Sequence, residues 1–212
     1  MVAYKLNYFN GRGIAEPARL LFAFAGVPFE DVRYELPDFP EEKFPFGRLP
    51  VLEVDGRSIP ESFAIFRFLA KRFGLAGRDD FEAAEIDAIG YLLKDFWSAY
   101  IPYLLVVVER KTGDKAGDQQ GGLPEKLREE HLLPALKTFG PLLERLLDES
   151  ANGFYHRSGL TWVDFVAANF FLSAHSRMPE FGDLKKLVQH CELVHSLPPL
   201  KEYVAKRKDT GF

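Results

Sequence analysis

Gly47–Phe73 reads GRLPVLEVDGRSIPESFAIFRFLAKRF, and the order of backbone devices in it decides the fold. Leu49-Pro50 interrupts any ladder at the head of an apolar run, because Pro50 has no N–H to donate. Val51-Leu52-Glu53-Val54, Asp55-Gly56 and Arg57-Ser58-Ile59 then read as strand, tight turn and strand. Glu61-Ser62 opens a helix, with Ser62 expected as its N-cap. A helix N-terminus carries partial positive charge and suits an anion. The segment can therefore pair an extended, peptide-like ligand near Leu49 and hold a carboxylate at Ser62. Tyr8, on the first predicted strand, is expected to face the same place.

Outward from this stretch, the chain changes character near residues 74–80. Before it, Ala3–Tyr8 reads as a strand and Gly13–Ala25 as a helix with Ile14, Ala18, Leu21, Phe22 and Ala25 on one face. Phe29–Tyr34 reads as a second strand, and Pro37–Gly47 as a proline-rich loop. The order β-α-β-loop-β-β-α is that of an α/β thioredoxin-like domain. After Asp80 the periodicity is helical: about 81–110, 124–148, 161–178, 183–195 and 199–208, with a polar loop at 112–122. This predicts a thioredoxin-like domain over 1–77 and an all-α domain over 78–212. Thr161-Trp162-Val163-Asp164 has capping-box spacing, ahead of a helix expected to set Phe165, Ala168, Asn169 and Leu172 on one face.

Composition excludes several classes. A net charge of −4 argues against nucleic acid as a main partner. The single cysteine, Cys191, rules out an internal disulfide and fits a reducing compartment. The first ten residues show no apolar signal core, and the longest apolar run, Tyr100–Val108, is broken by Pro102. A cytoplasmic protein without a membrane segment is expected.

The candidate chemistry is sparse. A Tyr8 hydroxyl can donate to a thiolate and favour its ionised form, and a free thiol, with a pKa of about 8.5, needs only modest help. There is no Cys-x-x-Cys after the first strand, so the chain itself is not expected to exchange disulfides. Glu61 can pair with an ammonium, and Lys43 and Arg48 with a remote carboxylate. His190-Cys191 and His195 invite a metal or nucleophile reading. Helical neighbours face different ways, though, and no carboxylate partner is evident in the sequence. No phosphate-binding glycine loop is present.

Taken together, YKLNYFNGRGIAEPAR, PFGRLPVLEVDG, ESFAIFRFLAKRFGLAG and GLTWVDF, in this order, resemble the cytosolic glutathione transferases over essentially the whole chain. Within them the chain is similar to the sigma class, which includes nematode members and haematopoietic prostaglandin D synthase. The resemblance implies conjugation of the glutathione thiolate to apolar electrophiles by a homodimer, with glutathione as co-substrate and no metal required. It implies that Tyr8 hydrogen-bonds the thiolate and that Leu49, ahead of a cis Pro50, pairs with the cysteinyl part. Glu61 and Ser62 take the γ-glutamyl end, with Asp95 from the partner subunit. Lys43 and Arg48 meet the glycyl carboxylate. Phe9, Ile14, Trp97, Tyr103 and Phe212 line the electrophile pocket. The chain departs from the class at three places: Ile14 replaces a common Arg that supports the catalytic Tyr, Phe39 a Trp that donates to glutathione, and Glu61 a Gln. The alternatives are a glutathione-dependent prostaglandin D isomerase, or a non-catalytic ligandin (haem-binding) or crystallin-like protein.

Overall fold

The computed structural model describes residues 2–35, 39–112, 123–175, 179–208 and 210. The chain divides into two compact units, residues 1–76 with 195–212, and residues 77–194. The final segment, set with the helical domain by the sequence reading, thus groups with the first unit.

In the first unit the elements are β1 (Tyr4–Phe9), α1 (Glu16–Ala25), β2 (Glu30–Tyr34), β3 (Val51–Val54), β4 (Arg57–Pro60) and α2 (Ser62–Phe73). The sheet order is β2-β1-β3-β4. β1 runs parallel to β2, and β3 is antiparallel to both β1 and β4. The parallel pair requires a crossover, and α1 supplies it. Gly26, left-handed at φ 64°, ends α1 by returning its N–H to the Ala23 and Phe22 carbonyls. Leu6, Leu21, Phe22, Leu52, Ile65, Phe66 and Leu69 are fully buried and form the core. Phe22 stacks on Phe29 at 4.4 Å and meets the edges of Tyr4 and Phe73. Of the predicted apolar face of α1, Ala18, Leu21 and Phe22 are buried, while Ile14 and Ala25 are half-buried. The last helix of the chain, α8 (Pro198–Lys206), packs on α1.

The second unit holds α3 (Asp80–Thr112), α4 (Leu123–Leu127), α5 (Leu133–Ser150), α6 (Trp162–His175) and α7 (Lys185–His195). The predicted loop at 112–122 lies almost wholly outside the described residues. The helix expected over 124–148 is instead α4, a π turn at Arg128–Leu132 and α5. Pro134 explains the widening. It has no N–H for the Glu130 carbonyl and its ring would collide with that carbonyl. The chain takes an extra residue in the turn, closed by Leu133 N–H on the Arg128 carbonyl.

The expected one-sided pattern of α6 is also corrected. Trp162–Phe171 are buried on every side, so this helix is central. Around it, Phe96, Tyr100, Phe139, Phe171 and Phe181 form a cluster of rings. No helix among the described residues is long and apolar enough to cross a membrane.

Candidate active site

Tyr8 is the penultimate residue of β1, half-buried, and its hydroxyl oxygen accepts the Ile14 backbone N–H at 3.3 Å. The turn that delivers that N–H works because Gly13, at φ 39°, has no Cβ. One built there would sit 2.5 Å from the Tyr8 hydroxyl. Burial pushes the Tyr8 phenol above its ordinary value, and the Ile14 N–H and Arg19 charge only partly offset it. At neutral pH the phenol therefore keeps its proton. An oxygen that accepts one hydrogen bond while donating another is a polarised donor, which is the property a thiolate partner needs.

By sequence, a cation is missing at Ile14. The structure puts a different cation there. Arg19, fully buried on α1, lies over the Tyr8 ring with its guanidinium carbon 5.8 Å from the centroid. Ile14 contributes its backbone N–H to Tyr8. Arg12 is half-buried, and its Nε finds no hydrogen-bond partner. The signal for Arg19 was present: Glu16 and Arg19 stand three residues apart within an otherwise apolar helix, a pair that can be buried together.

Leu49-Pro50 is a cis peptide, with Leu49 half-buried and Pro50 buried immediately before β3. Beyond β4 the expected cap is corrected. Glu61, not Ser62, occupies the N-cap position of α2, at φ 71° and ψ 120°, and its side chain makes no cap hydrogen bond. The first intrahelical bond runs from Ile65 N–H to the Glu61 carbonyl. Ser62 is then the first helical residue, buried, with its N–H ahead of that bond at the positive end of the helix. A non-glycine residue held at such a φ costs about 1–3 kcal/mol, a cost typical of functional positions.

The Glu61 carboxylate pairs with Arg48 at 2.7 Å, both side chains exposed. Arg48 is thus paired with Glu61, while Lys43 is exposed in the 3₁₀ turn Glu41–Lys43. Phe39 meets Phe9 edge-on at 5.3 Å and stacks on Phe44 at 5.5 Å. Phe9 in turn meets the Tyr8 ring at 5.4 Å. In place of an indole donor, an apolar wall runs from Tyr8 through Phe9 to Phe39.

The remaining predicted residues belong to the second unit. Asp95 is exposed on α3. Tyr103 is half-buried, and burial followed by Glu180 raises its phenol. Trp97 departs from expectation. It is 6% exposed and stacked on Phe170 at 4.2 Å, so it serves the helical core and presents little to a ligand. Phe212 lies outside the described residues.

The His190-Cys191 reading is settled by tertiary contacts. His190 does have a carboxylate partner, Asp164, at 2.9 Å, supplied from α6. Asp164 also accepts the Thr161 N–H, the Thr161 hydroxyl and the Tyr155 N–H, so the predicted capping box is the centre of a buried network. Cys191, buried, donates to the Ala168 carbonyl. Among the described residues no three His, Cys, Asp or Glu side chains gather as a metal-ligand group.

The N-terminal domain of glutathione S-transferase matches residues 4–71, and the C-terminal domain of glutathione S-transferase matches residues 114–207. The chain belongs to the glutathione S-transferase family. It is 39% identical to "Glutathione S-transferase 1" of Ascaris suum over 218 residues, with the whole of both chains covered. The crystal structure of the glutathione S-transferase from Ascaris lumbricoides is 38% identical, with a TM-score of 0.89 over 99% of this chain and all of that one. Two other solved transferases bear on class and assembly. One is a Nu-class transferase of Haemonchus contortus, 36% identical with TM-score 0.86 over the whole of both chains. The other is Na-GST-3 of Necator americanus, described as monomeric, 38% identical with TM-score 0.87 over 99% of this chain and all of that one. The family is therefore established, and the sigma class is one of the readings it contains.

Proposed function

We propose that the chain is a glutathione transferase that activates the glutathione thiol at Tyr8 and places it against an apolar electrophile. The observation that carries this is the Tyr8 hydroxyl, kept protonated by burial and aimed by the Ile14 N–H. Its proton is available to a thiolate, which it stabilises against reprotonation. Ser62 at the start of α2 receives the γ-glutamyl carboxylate, and Glu61 the ammonium. Lys43 receives the glycyl carboxylate, and the Leu49 backbone pairs with the cysteinyl part. The activated sulfur then attacks the electrophilic carbon and expels its leaving group, or adds across a polarised double bond. Catalysis by this route is orientation plus thiolate stabilisation. The aromatic wall of Phe9 and Phe39 fits an apolar acceptor better than a charged one. We place the chain beside the sigma class, as a cytoplasmic homodimer whose exposed Asp95 reaches the partner's glutathione. Sedimentation with and without glutathione tests the dimer.

The deciding experiment is glutathione conjugation to chlorodinitrobenzene by wild type and Tyr8→Phe. We expect kcat to fall on the order of 100-fold, as for loss of a positioned donor, with KM for glutathione changed only a few-fold. Equal turnover in the two proteins would remove Tyr8 from the chemistry. A second reading, a carrier of haem or other apolar molecules, is favoured by the neutral side chain of Ile14 and the raised Tyr8. Tight haem binding by a wild type that conjugates nothing would establish it.

A further inference from the structure

The Arg19 guanidinium under Tyr8 is one member of a buried ionic cluster that reaches the C-terminal helix. Its Nη1 donates to Glu16 at 3.3 Å and to the Gly11 carbonyl at 2.8 Å, and its Nε donates to Asp31 at 3.0 Å. Glu16 is 1% exposed, and its other oxygen accepts both the Tyr203 hydroxyl and the Arg207 Nη1, each at 3.0 Å. Asp31 is shared with Arg33, at 2.9 Å. Burying such charges is costly unless each is paired; Glu16 and Arg19 are fully buried, Asp31 and Arg33 partly so, and the cluster joins α1, β2 and the C-terminal helix. The Tyr203 phenol is pushed up, by burial first and by the Glu16 charge second, so it stays a donor at all working pH values.

Three guanidiniums, Arg19, Arg33 and Arg207, face two carboxylates, Glu16 and Asp31. The cluster therefore holds an excess positive charge, and its most central cation lies over the Tyr8 ring. Arg19 Nη2 is buried with no hydrogen-bond acceptor, and the guanidinium carbon stands 5.8 Å from the Tyr8 ring centroid, within reach of the electron-rich face. The other charged groups nearby are Arg12, before α1, and the Glu202–Lys206 pair on the exposed side of α8, which satisfy each other at 2.6 Å.

We propose that Glu16 and Arg207 are positioning residues for the thiol chemistry at Tyr8: through Arg19 they fix how cationic the floor beneath the ring is. The inference rests on the transferase reading above. It makes the C-terminal helix part of the catalytic support without any contact to substrate. It also gives opposite signs to two substitutions. Arg207→Gln removes the excess positive charge and disfavours the bound thiolate. Glu16→Gln increases the excess and favours it. Tyr203→Phe removes a hydrogen bond and no charge.

The test is the pH titration of glutathione bound to the full-length protein, read by thiolate ultraviolet absorbance. It is run beside the pH–rate profile with chlorodinitrobenzene. Arg207→Gln is expected to raise the apparent thiol pKa by roughly half a unit, the effect of one partly screened charge. Glu16→Gln is expected to lower it, Tyr203→Phe to leave it in place, and Arg207→Lys to restore the wild-type value. Shifts of the same sign in Arg207→Gln and Glu16→Gln, or no shift in either, overturn the proposal and leave the cluster a structural one. If Glu16→Gln does not fold, the comparison of Arg207→Gln with Arg207→Lys decides alone. A wild type that binds glutathione without forming thiolate overturns the transferase reading instead.

Discussion

Gly13→Ala is the substitution that most directly tests how the site is built. Two penalties follow from the structure, and they can be separated. The first is backbone: alanine at φ 39° costs about 1 kcal/mol relative to glycine. The second is steric. The new Cβ would lie 2.5 Å from the Tyr8 hydroxyl and 2.9 Å from Cε1, so the ring must retreat by about 1 Å to reach ordinary contact. Phe9 and Arg19 already pack on that ring, and the Ile14 N–H bond is lost as it moves. A 1 Å misplacement of a catalytic group can cost about 10²-fold. Gly26→Ala is the control, because φ there is 64° and nothing lies within 4 Å of the added Cβ. Both variants are expected to lose about 2–4 °C in Tm per kcal/mol. Only Gly13→Ala is expected to lose roughly 100-fold in kcat with chlorodinitrobenzene. Full turnover in Gly13→Ala, at the stability of Gly26→Ala, would refute the argument that close backbone approach positions Tyr8.

Two further expectations concern the helical unit. Asp164→Ala strips four hydrogen bonds from a fully buried carboxylate and leaves the Tyr155 N–H and the His190 ring unpartnered. Urea unfolding should show a loss of about 3–5 kcal/mol, and a loss below about 1 kcal/mol would deny Asp164 its central role. At the start of α3, the Arg78 side chain and backbone N–H hold the Glu82 carboxyl down to about 2, below the usual carboxylate range. Between that value and the unfolded one, about 4.3, the unfolded chain binds the proton that the folded chain refuses. The stabilisation from this pair is therefore complete above about pH 5 and is lost as pH falls toward 2. The Tm difference between wild type and Arg78→Met should shrink from about pH 6 to about pH 3. A difference independent of pH would assign Arg78 a packing role only.

Much of the fold was legible because it rests on local chemistry. Pro50, Asp55-Gly56 and the amphipathic pattern of 62–73 each restrict the backbone within a few residues, so the strand–turn–strand–helix order could be read directly. Glu61 shows the boundary of that reading. Ser62 is the better N-cap residue by side-chain chemistry, yet the chain turns one residue earlier because β4 runs through Pro60 and leaves a single residue for the corner. Trp97 and α6 mislead in another way. Periodicity reports which positions are apolar, and it is silent on whether a helix is covered on one side or on all.

The sequence by itself determined the element order, the X-Pro before β3 and the family, and it singled out Tyr8 as the candidate donor. Each is carried by residue type and short spacing, which act locally. Only the tertiary structure decided that Arg19 lies over Tyr8, that Arg48 answers Glu61, that Asp164 serves His190, and that Tyr203 and Arg207 close on Glu16. Those pairs join residues as far as 191 positions apart. A charge on an isolated helix looks solvated. Its partner exists only once the chain has brought distant groups together, at the surface for Arg48 and Glu61 and, for the Arg19 and Asp164 networks, in a water-poor interior where leaving a charge unpaired is costly.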